Sequence, residues 1–176
     1  MFKKILIATD GSDHSRAAVE LGAALAAKDE AEVVVVHVLL AGEVDADVQR
    51  LIDVEFPASE PVPMFADDAR TDMLAVESQS FDIARQKAAS YRTFRILGEQ
   101  IAQQAVQTLK AKGAGRVRSL ILEGNPAERI LKAAADEHPD IVICGARGLS
   151  NFAALLLGSV SNKIAHLCPV TCITVR

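Results

Sequence analysis

Five short and nearly continuous apolar runs recur along the chain, and they predict strands of a sheet that is buried on both faces. The runs are rich in β-branched residues and are too short for helices of ordinary length. They span Lys4–Ala8, Val33–Leu39, Val117–Leu122, Ile141–Cys144 and Val170–Val175.

Segments with helical spacing separate these runs. The first spans about Ser12–Ala27 and places Ala17, Leu21, Ala24 and Leu25 on one face. Another spans Ala127–Glu137 and places Ile130, Leu131 and Ala134 on one face. Its start is predicted by a capping Asn125, by Pro126 in the first turn and by Glu128 three residues after the cap. Strands that alternate with helices indicate right-handed βαβ units, a parallel sheet and an α/β sandwich.

The middle of the chain departs from this alternation. Gly42–Ser80 is an excursion with ten acidic residues, two basic residues and three prolines. We expect either a solvated loop or lid, or an arm that contacts a partner or a second copy of the chain. A helix is predicted to resume over about Phe81–Lys112, with inward positions at Ile83, Phe94, Leu97, Ile101, Ala105 and Leu109.

Composition narrows the class of protein. The 176 residues, half of them hydrophobic, suit one domain over 1–176, and a net charge of −4 gives no reason to expect nucleic-acid binding. Apolar runs fall short of the roughly 20 residues of a membrane helix, and the N-terminal run breaks at Thr9-Asp10, too early for a signal peptide. Cys144, Cys168 and Cys172 lack CxxC spacing. We interpret them as reduced core thiols of a cytoplasmic protein rather than a metal or redox site.

A glycine pattern after the fourth run carries the first chemical signal. Gly145, Gly148, Gly158 and Ser159 form G-x2-G-x9-G-S between a predicted strand and a predicted helix over Gly158–Leu167. Glycines let backbone amides approach a ligand, and amides at a helix start favour an anion, so the pattern predicts a phosphate cradle. Ser159 and Ser161, on either side of Val160, could bind phosphate oxygens or cap the helix. Arg147 could pair with phosphate or point to solvent.

Asp10 follows the first strand in the sequence Thr9-Asp10-Gly11-Ser12. Ligands of open parallel sheets bind beyond the carboxyl ends of strands, where neighbouring connections leave on opposite faces. If the first and fourth strands are neighbours, Asp10 and Gly145 meet in such a crevice. The Asp10 carboxylate could then accept hydrogen bonds from a ribose or an adenine amino group, or it could simply cap the following helix.

Several catalytic patterns are absent from the sequence. It holds neither the P-loop pattern GxxxxGK[ST] nor the dinucleotide fingerprint GxGxxG. The usual phosphate-binding lysine is therefore missing, and neither a Ser/His/Asp nucleophile nor paired carboxylates can be identified. The four histidines show no metal-like clustering and are assigned structural roles. These absences argue against a fast NTPase and favour binding over hydrolysis.

Four segments together resemble the universal stress protein family over nearly the whole chain. Lys4–Ser12 resembles the opening strand and turn of that family, Val33–Val38 its second strand, and Gly124–Ile130 its G-x-P helix start. Gly145–Ser159 matches the G-x2-G-x9-G-[ST] motif of the ATP-binding branch without a gap. The last match is specific, and the order of all four strengthens the resemblance.

The resemblance implies a Rossmann-like three-layer sandwich, similar to the adenine nucleotide alpha hydrolases, around a five-stranded parallel sheet in the order 3-2-1-4-5. It implies an ATP or other adenine-nucleotide site, with Mg²⁺ or Mn²⁺ bridging phosphate oxygens. Adenine and ribose would lie near Ala8, Thr9, Asp10, Val38, Cys144 and Gly145. Phosphates would lie at Gly148, Gly158, Ser159, Val160 and Ser161. Arg147, between two of the glycines, is added as a candidate phosphate ligand from its position in the sequence.

The chain differs from what is typical of the family in two features, and the resemblance also implies a partner. Many members have proline at the position of Ala8, and the acidic excursion here is longer than is typical. Members often form homodimers by pairing the last strand, here Val170–Val175, with its symmetry mate.

The leading hypothesis is a cytoplasmic nucleotide-dependent regulator or sensor in stress response, with an unidentified protein partner and not an efficient enzyme. A slow ATPase and a nucleotide-independent dimeric module are the alternatives.

Overall fold

The computed structural model of the chain describes residues 1–39, 93–149 and 157–176. The acidic excursion, the predicted inward position of Ile83 and residues 150–156 of the glycine pattern lie outside these ranges. Within the described ranges, no helix is both long and apolar enough to cross a membrane.

Five strands of the described chain form one sheet: β1 Lys4–Ala8, β2 Glu32–Leu39, β3 Arg116–Glu123, β4 Ile141–Gly145 and β5 Thr171–Val175. Their bounds differ from the predicted ones by at most one residue at each end. The strands lie in the order β3-β2-β1-β4-β5, and every neighbouring pair is parallel. The fold and strand order implied by the resemblance are thus confirmed.

Helices cover both faces of the sheet, because each face of its central strands is apolar. The helices span Asp13–Asp29 (α1), 93–111 as far as described (α2), Pro126–Glu137 (α3) and Ser159–Leu167 (α4). Odd-numbered residues of β1, such as Ile5 and Ile7, belong to one buried cluster with helices α1 and α2. Even-numbered residues, such as Leu6, belong to a second cluster with α3 and α4. The three-layer sandwich is therefore confirmed.

The predicted inward face of α1 is wrong by about one residue. Its buried residues include Ala18, Val19, Gly22, Ala23 and Ala26, whereas Ala24 is exposed and Ala17, Leu21 and Leu25 are half-buried. The cause is close packing at Gly22, where a Cβ would lie 2.3 Å from Cδ1 of Ile7. Small residues let the helix backbone approach the sheet, and the two leucines pack at the margin of the cluster.

The predicted inward face of α2 is also partly wrong, for the same reason. Ala105 and Leu109 are buried as predicted, and Ile101 is half-buried, but Phe94 and Leu97 are exposed. Gly98 is buried in their place, since a Cβ there would lie 2.5 Å from Cδ2 of Leu39 and 2.8 Å from the His37 ring. Glycine again marks a position where a helix packs too tightly against the sheet for a side chain.

The predicted start of α3 is confirmed. The side chain of Asn125 accepts a hydrogen bond from the backbone N–H of Glu128 across 3.2 Å, and Pro126 is the first residue of the helix. The helix ends where His138 takes a left-handed conformation, with φ of 49°, directly before Pro139.

An ion-pair network lies at the amino-terminal edge of the sheet, away from the candidate site. Glu137 pairs with Arg118 and with Lys4, and Arg118 also pairs with Glu32. The hydrogen bond from Arg118 is the main reason that the pKa of Glu137 lies below its usual value. The network therefore connects the end of α3 to β1, β2 and β3.

Candidate functional site

The carboxyl ends of β1 and β4 lie side by side, with Ala8 aligned with Cys144. The chain leaves β1 towards α1, which packs on one face, whereas Ile164 of α4, the helix after β4, packs on the other. Neighbouring connections on opposite faces open a crevice at this edge of the sheet. The strand order implied by the family resemblance, in which the first and fourth strands are neighbours, is confirmed.

Asp10 and the glycine pattern meet across this crevice. A Cβ on Gly148 would lie 2.5 Å from Oδ2 of Asp10, which is closer than real Cβ atoms approach other atoms. The other carboxylate oxygen, Oδ1, accepts hydrogen bonds from the backbone N–H and the hydroxyl of Ser12, at 3.0 and 2.6 Å. Asp10 thus has one oxygen bound within its own turn and one directed towards Gly148.

Ser12, rather than Asp10, caps α1. Its Oγ accepts a hydrogen bond from the backbone N–H of Ser15 across 3.3 Å. The interpretation of Asp10 as the helix cap is therefore wrong, and its carboxylate binds the cap residue instead. Gly11 between them has φ of 84°, a left-handed conformation that glycine adopts without strain.

Thr9 anchors the turn to β2 through its backbone. Its N–H donates to the carbonyl oxygen of Val36, and its own carbonyl oxygen lies 2.9 Å from Nδ1 of His37. With a carbonyl as its partner, this ring nitrogen carries the proton. Ala8, Thr9 and His37 are all buried, and Val38, the neighbour of His37, is half-buried. His37 is a support of the site that spacing along the sequence did not reveal.

Gly145 lets the end of β4 approach the first turn of α1. A Cβ at this position would lie 2.8 Å from the backbone N of Ser15 and 2.8 Å from the carbonyl carbon of His14. Both neighbours are backbone atoms that cannot swing away. The first glycine of the pattern is thus required by packing, independently of any ligand.

Two hydrogen bonds to one carbonyl join the two ends of the glycine pattern. The N–H of Gly158 and the hydroxyl of Ser161 both donate to the carbonyl oxygen of Ala146, each at 2.7 Å. Ser161 is buried and points into this junction, whereas Ser159 is exposed and Val160 is half-buried. The sequence missed this structural task of Ser161.

The first turn of α4 has no side-chain cap. Gly158 is its cap residue and has no side chain to accept a hydrogen bond, so the interpretation of Ser159 as the cap is wrong. Amides in the first turn of a helix have no partner within the helix and attract anions. Of the other pattern residues, Arg147 is half-buried and Gly148 is exposed.

Cys144, near the carboxyl end of β4, is a buried neutral thiol. A hydrogen bond with Cys172, together with burial, raises its pKa far above the usual range. Cys144, Cys168 and Cys172 are all free thiols that pack in one apolar cluster, as predicted for reduced core cysteines. In the described part of the chain, no group of three or more His, Cys, Asp or Glu side chains could hold a metal ion.

Comparison with known proteins identifies the family. The model of the universal stress protein family matches residues 1–176. A universal stress protein of Thermus aquaticus, encoded in the 3′ region of a QAH/OAS sulfhydrylase gene, is 31% identical over 176 residues, which is 100% of both chains. The chain therefore belongs to the universal stress protein family.

Two solved structures share the fold. A universal stress protein in complex with cAMP has a TM-score of 0.59 and 19% identity, with 99% of this chain and 97% of that chain covered. A universal stress protein of Archaeoglobus fulgidus in complex with dAMP has a TM-score of 0.58 and 14% identity, with 99% and 98% covered. Some structural neighbours of this chain thus bind adenine nucleotides.

Proposed function

We propose that this universal stress protein binds ATP in the crevice between the carboxyl ends of β1 and β4. The observation that carries the proposal is the close approach of Asp10 Oδ2 to Gly148. A Cβ added at Gly148 would lie only 2.5 Å from that oxygen. A carboxylate suited to ribose hydroxyls therefore lies against the glycine pattern suited to phosphates. The cAMP and dAMP complexes of structural neighbours support an adenine nucleotide as the ligand.

The ribose and the base belong on the β1 side of the crevice. Asp10 Oδ2 would accept a hydrogen bond from a ribose hydroxyl, since its other oxygen is already bound by Ser12. Cys144 and Gly145 would line the ribose. Ala8, Thr9 and Val38 would enclose the adenine ring, and the backbone of Thr9 keeps its bonds to β2.

The phosphates belong at the start of α4. Uncapped amides of the first turn, at Ser159 and Val160, favour an anion, and Gly158 has no side chain to block its approach. Gly148 would contribute its backbone amide to the same phosphates. Ser161 would support this turn through Ala146, and Arg147 would pair with phosphate. Mg²⁺ or Mn²⁺, held by the phosphates themselves, would offset part of their charge.

The same residues favour a regulator over an enzyme. The described part of the crevice offers carboxylate, glycine and hydroxyl groups, and the sequence lacks the P-loop lysine that phosphoryl transfer commonly uses. ATP binding would shift the population of a conformer that a protein partner recognises. The proposed setting is the cytoplasm, and the proposed assembly is a homodimer that pairs β5, which ends the sheet of the described strands.

Purification without added nucleotide, acid extraction and identification of any released base test the proposal directly. Calorimetric titration with ATP and Mg²⁺ should then give saturable binding, and turnover should stay well below the order of 1 per second typical of slow enzymes. Gly158→Val should abolish binding, whereas Gly115→Val, at a glycine with open space around it, should not. Absence of both carried-over nucleotide and binding at millimolar ATP would refute the proposal, and fast turnover would favour the ATPase alternative.

A further inference from the structure

Ser12 lies where β1, α1 and the segment after β4 meet. Its hydroxyl oxygen lies 2.6 Å from Asp10 Oδ1, 3.3 Å from the Ser15 amide and 3.3 Å from the carbonyl oxygen of Arg147. A hydroxyl has only one hydrogen, and the short contact with a carboxylate is the stronger one, so Asp10 receives it. Ser12 is only 9% exposed, which limits replacement of this bond by water.

Two donors on one oxygen determine how the Asp10 carboxylate is rotated. The terminal torsion of an aspartate has a broad preference of its own, so its neighbours decide where each oxygen lies. The hydroxyl and the N–H of Ser12 hold Oδ1 in the turn, and Oδ2 consequently lies on the side of Gly148. Without the hydroxyl, a single backbone donor would remain and the carboxylate would be freer to rotate.

We infer that Ser12 is a positioning residue, which holds Asp10 Oδ2 in place for the ribose and thereby sets the preference for nucleotides with ribose hydroxyls. The inference rests on the proposed nucleotide-binding function. It goes beyond that function because Ser12 itself need not touch the nucleotide. Its effect should therefore depend on whether the ligand has hydroxyls for Asp10 to bind.

The test compares ATP with 2′,3′-dideoxy-ATP, which lacks both ribose hydroxyls, by calorimetric titration in Mg²⁺. Ser12→Gly is the informative variant, because glycine is tolerated at a helix cap nearly as well as serine while it removes the hydroxyl. We expect Ser12→Gly and Ser12→Ala to weaken ATP binding about tenfold, comparable to the loss of one charge-assisted hydrogen bond. Binding of dideoxy-ATP should change less than about twofold, since its ribose makes no such bond.

Two further variants separate positioning from stability. Asn125→Ala removes another helix cap, on α3 across the sheet, and should leave the ratio of the two affinities unchanged. Ser12→Thr keeps a hydroxyl and should restore that ratio to the wild-type value. The thermal midpoint of each variant shows whether it is folded during the titration.

The outcomes distinguish this inference from the proposed function. If the wild-type protein binds neither nucleotide, the proposed function and the role of Ser12 are both overturned. If it binds ATP but Ser12→Gly weakens ATP and dideoxy-ATP equally, Ser12 is only a helix cap and the inference is wrong. Selective loss of ATP binding, rescued by Ser12→Thr, supports it.

Discussion

Adding one methyl group at Gly148 tests whether ATP binding depends on the position of Asp10 Oδ2 beside the glycine pattern. In Gly148→Ala, the new Cβ would lie 2.5 Å from Asp10 Oδ2, whereas ordinary contacts begin at 3.4 Å. The carboxylate oxygen must therefore retreat by 0.9 Å, the difference between these two distances. Gly148 is exposed and has no left-handed φ, so alanine imposes no backbone strain of its own.

The expected loss of ATP affinity follows from the proposed hydrogen bond between a ribose hydroxyl and Asp10 Oδ2, which this shift removes. A bond of ordinary length that is stretched by nearly 1 Å passes the limit of about 3.5 Å and is lost. Hydrogen bonds to charged groups contribute about 1.5–3 kcal/mol, so ATP affinity should fall by about 10- to 150-fold. The thermal midpoint should stay close to that of the wild type, because the displaced atom is the end of a partly exposed side chain.

Calorimetric titration with ATP at fixed salt and Mg²⁺ gives the required dissociation constants. Gly115→Ala is the matched control, since a Cβ there meets nothing within 4 Å. Gly148→Ala binding ATP within about threefold of the wild type would contradict the reasoning, because the lost bond should weaken binding at least about tenfold. Equal losses in both variants would point to a general effect of the substitutions instead.

Two further predictions concern stability. Gly22→Ala should destabilise the fold by about 1 kcal/mol in urea unfolding, because a crowded contact with Ile7 Cδ1 outweighs the helix propensity gained. Ile7→Val removes the crowded Cδ1 atom and should therefore destabilise the fold less in the Gly22→Ala background than in the wild type. Equal losses of unfolding free energy in both backgrounds would contradict this reasoning. Arg118 lowers the pKa of Glu137 in the folded protein below its unfolded pKa of about 4.5. The ionised carboxylate therefore stabilises the fold at pH values above that unfolded pKa. This stabilisation is lost as the pH falls through the lower pKa of the folded state. Glu137→Gln should flatten this acid dependence in unfolding measured at several pH values, and an unchanged slope would show that the ion pair contributes nothing.

Much of the fold could be predicted because burial on both faces leaves a direct mark on the sequence. Val33–Val36 is continuously apolar since both faces of β2 meet helices, and every strand was located to within one residue at each end. The inward faces of α1 and α2 could not be predicted in the same way. Large apolar residues were assumed to point inward, but Gly22 and Gly98 pack so tightly against the sheet that neither position has room for a Cβ.

The candidate site shows the same limit. That Asp10 and the glycine pattern lie together followed from the topology of open parallel sheets once the first and fourth strands were taken as neighbours, and the family resemblance implied that order. The supporting roles of Ser12, His37 and Ser161 depend on hydrogen bonds to particular atoms. Two of these bonds span 15 and 28 residues along the chain, and residue spacing carries no information about them.

The junction at Ala146 has a consequence for protein engineering. One carbonyl accepts hydrogen bonds from both Gly158 and Ser161, so the start of α4 is fastened directly to the end of β4. The two positions on either side of 147–157 are therefore held close together by bonds of their own. When the ends of a segment are already held together, lengthening the segment adds little entropic cost, about 0.6 kcal/mol for each doubling of length. We therefore expect variants with an altered length or sequence between these positions to keep the sheet and α4, so that they can be screened for ATP binding.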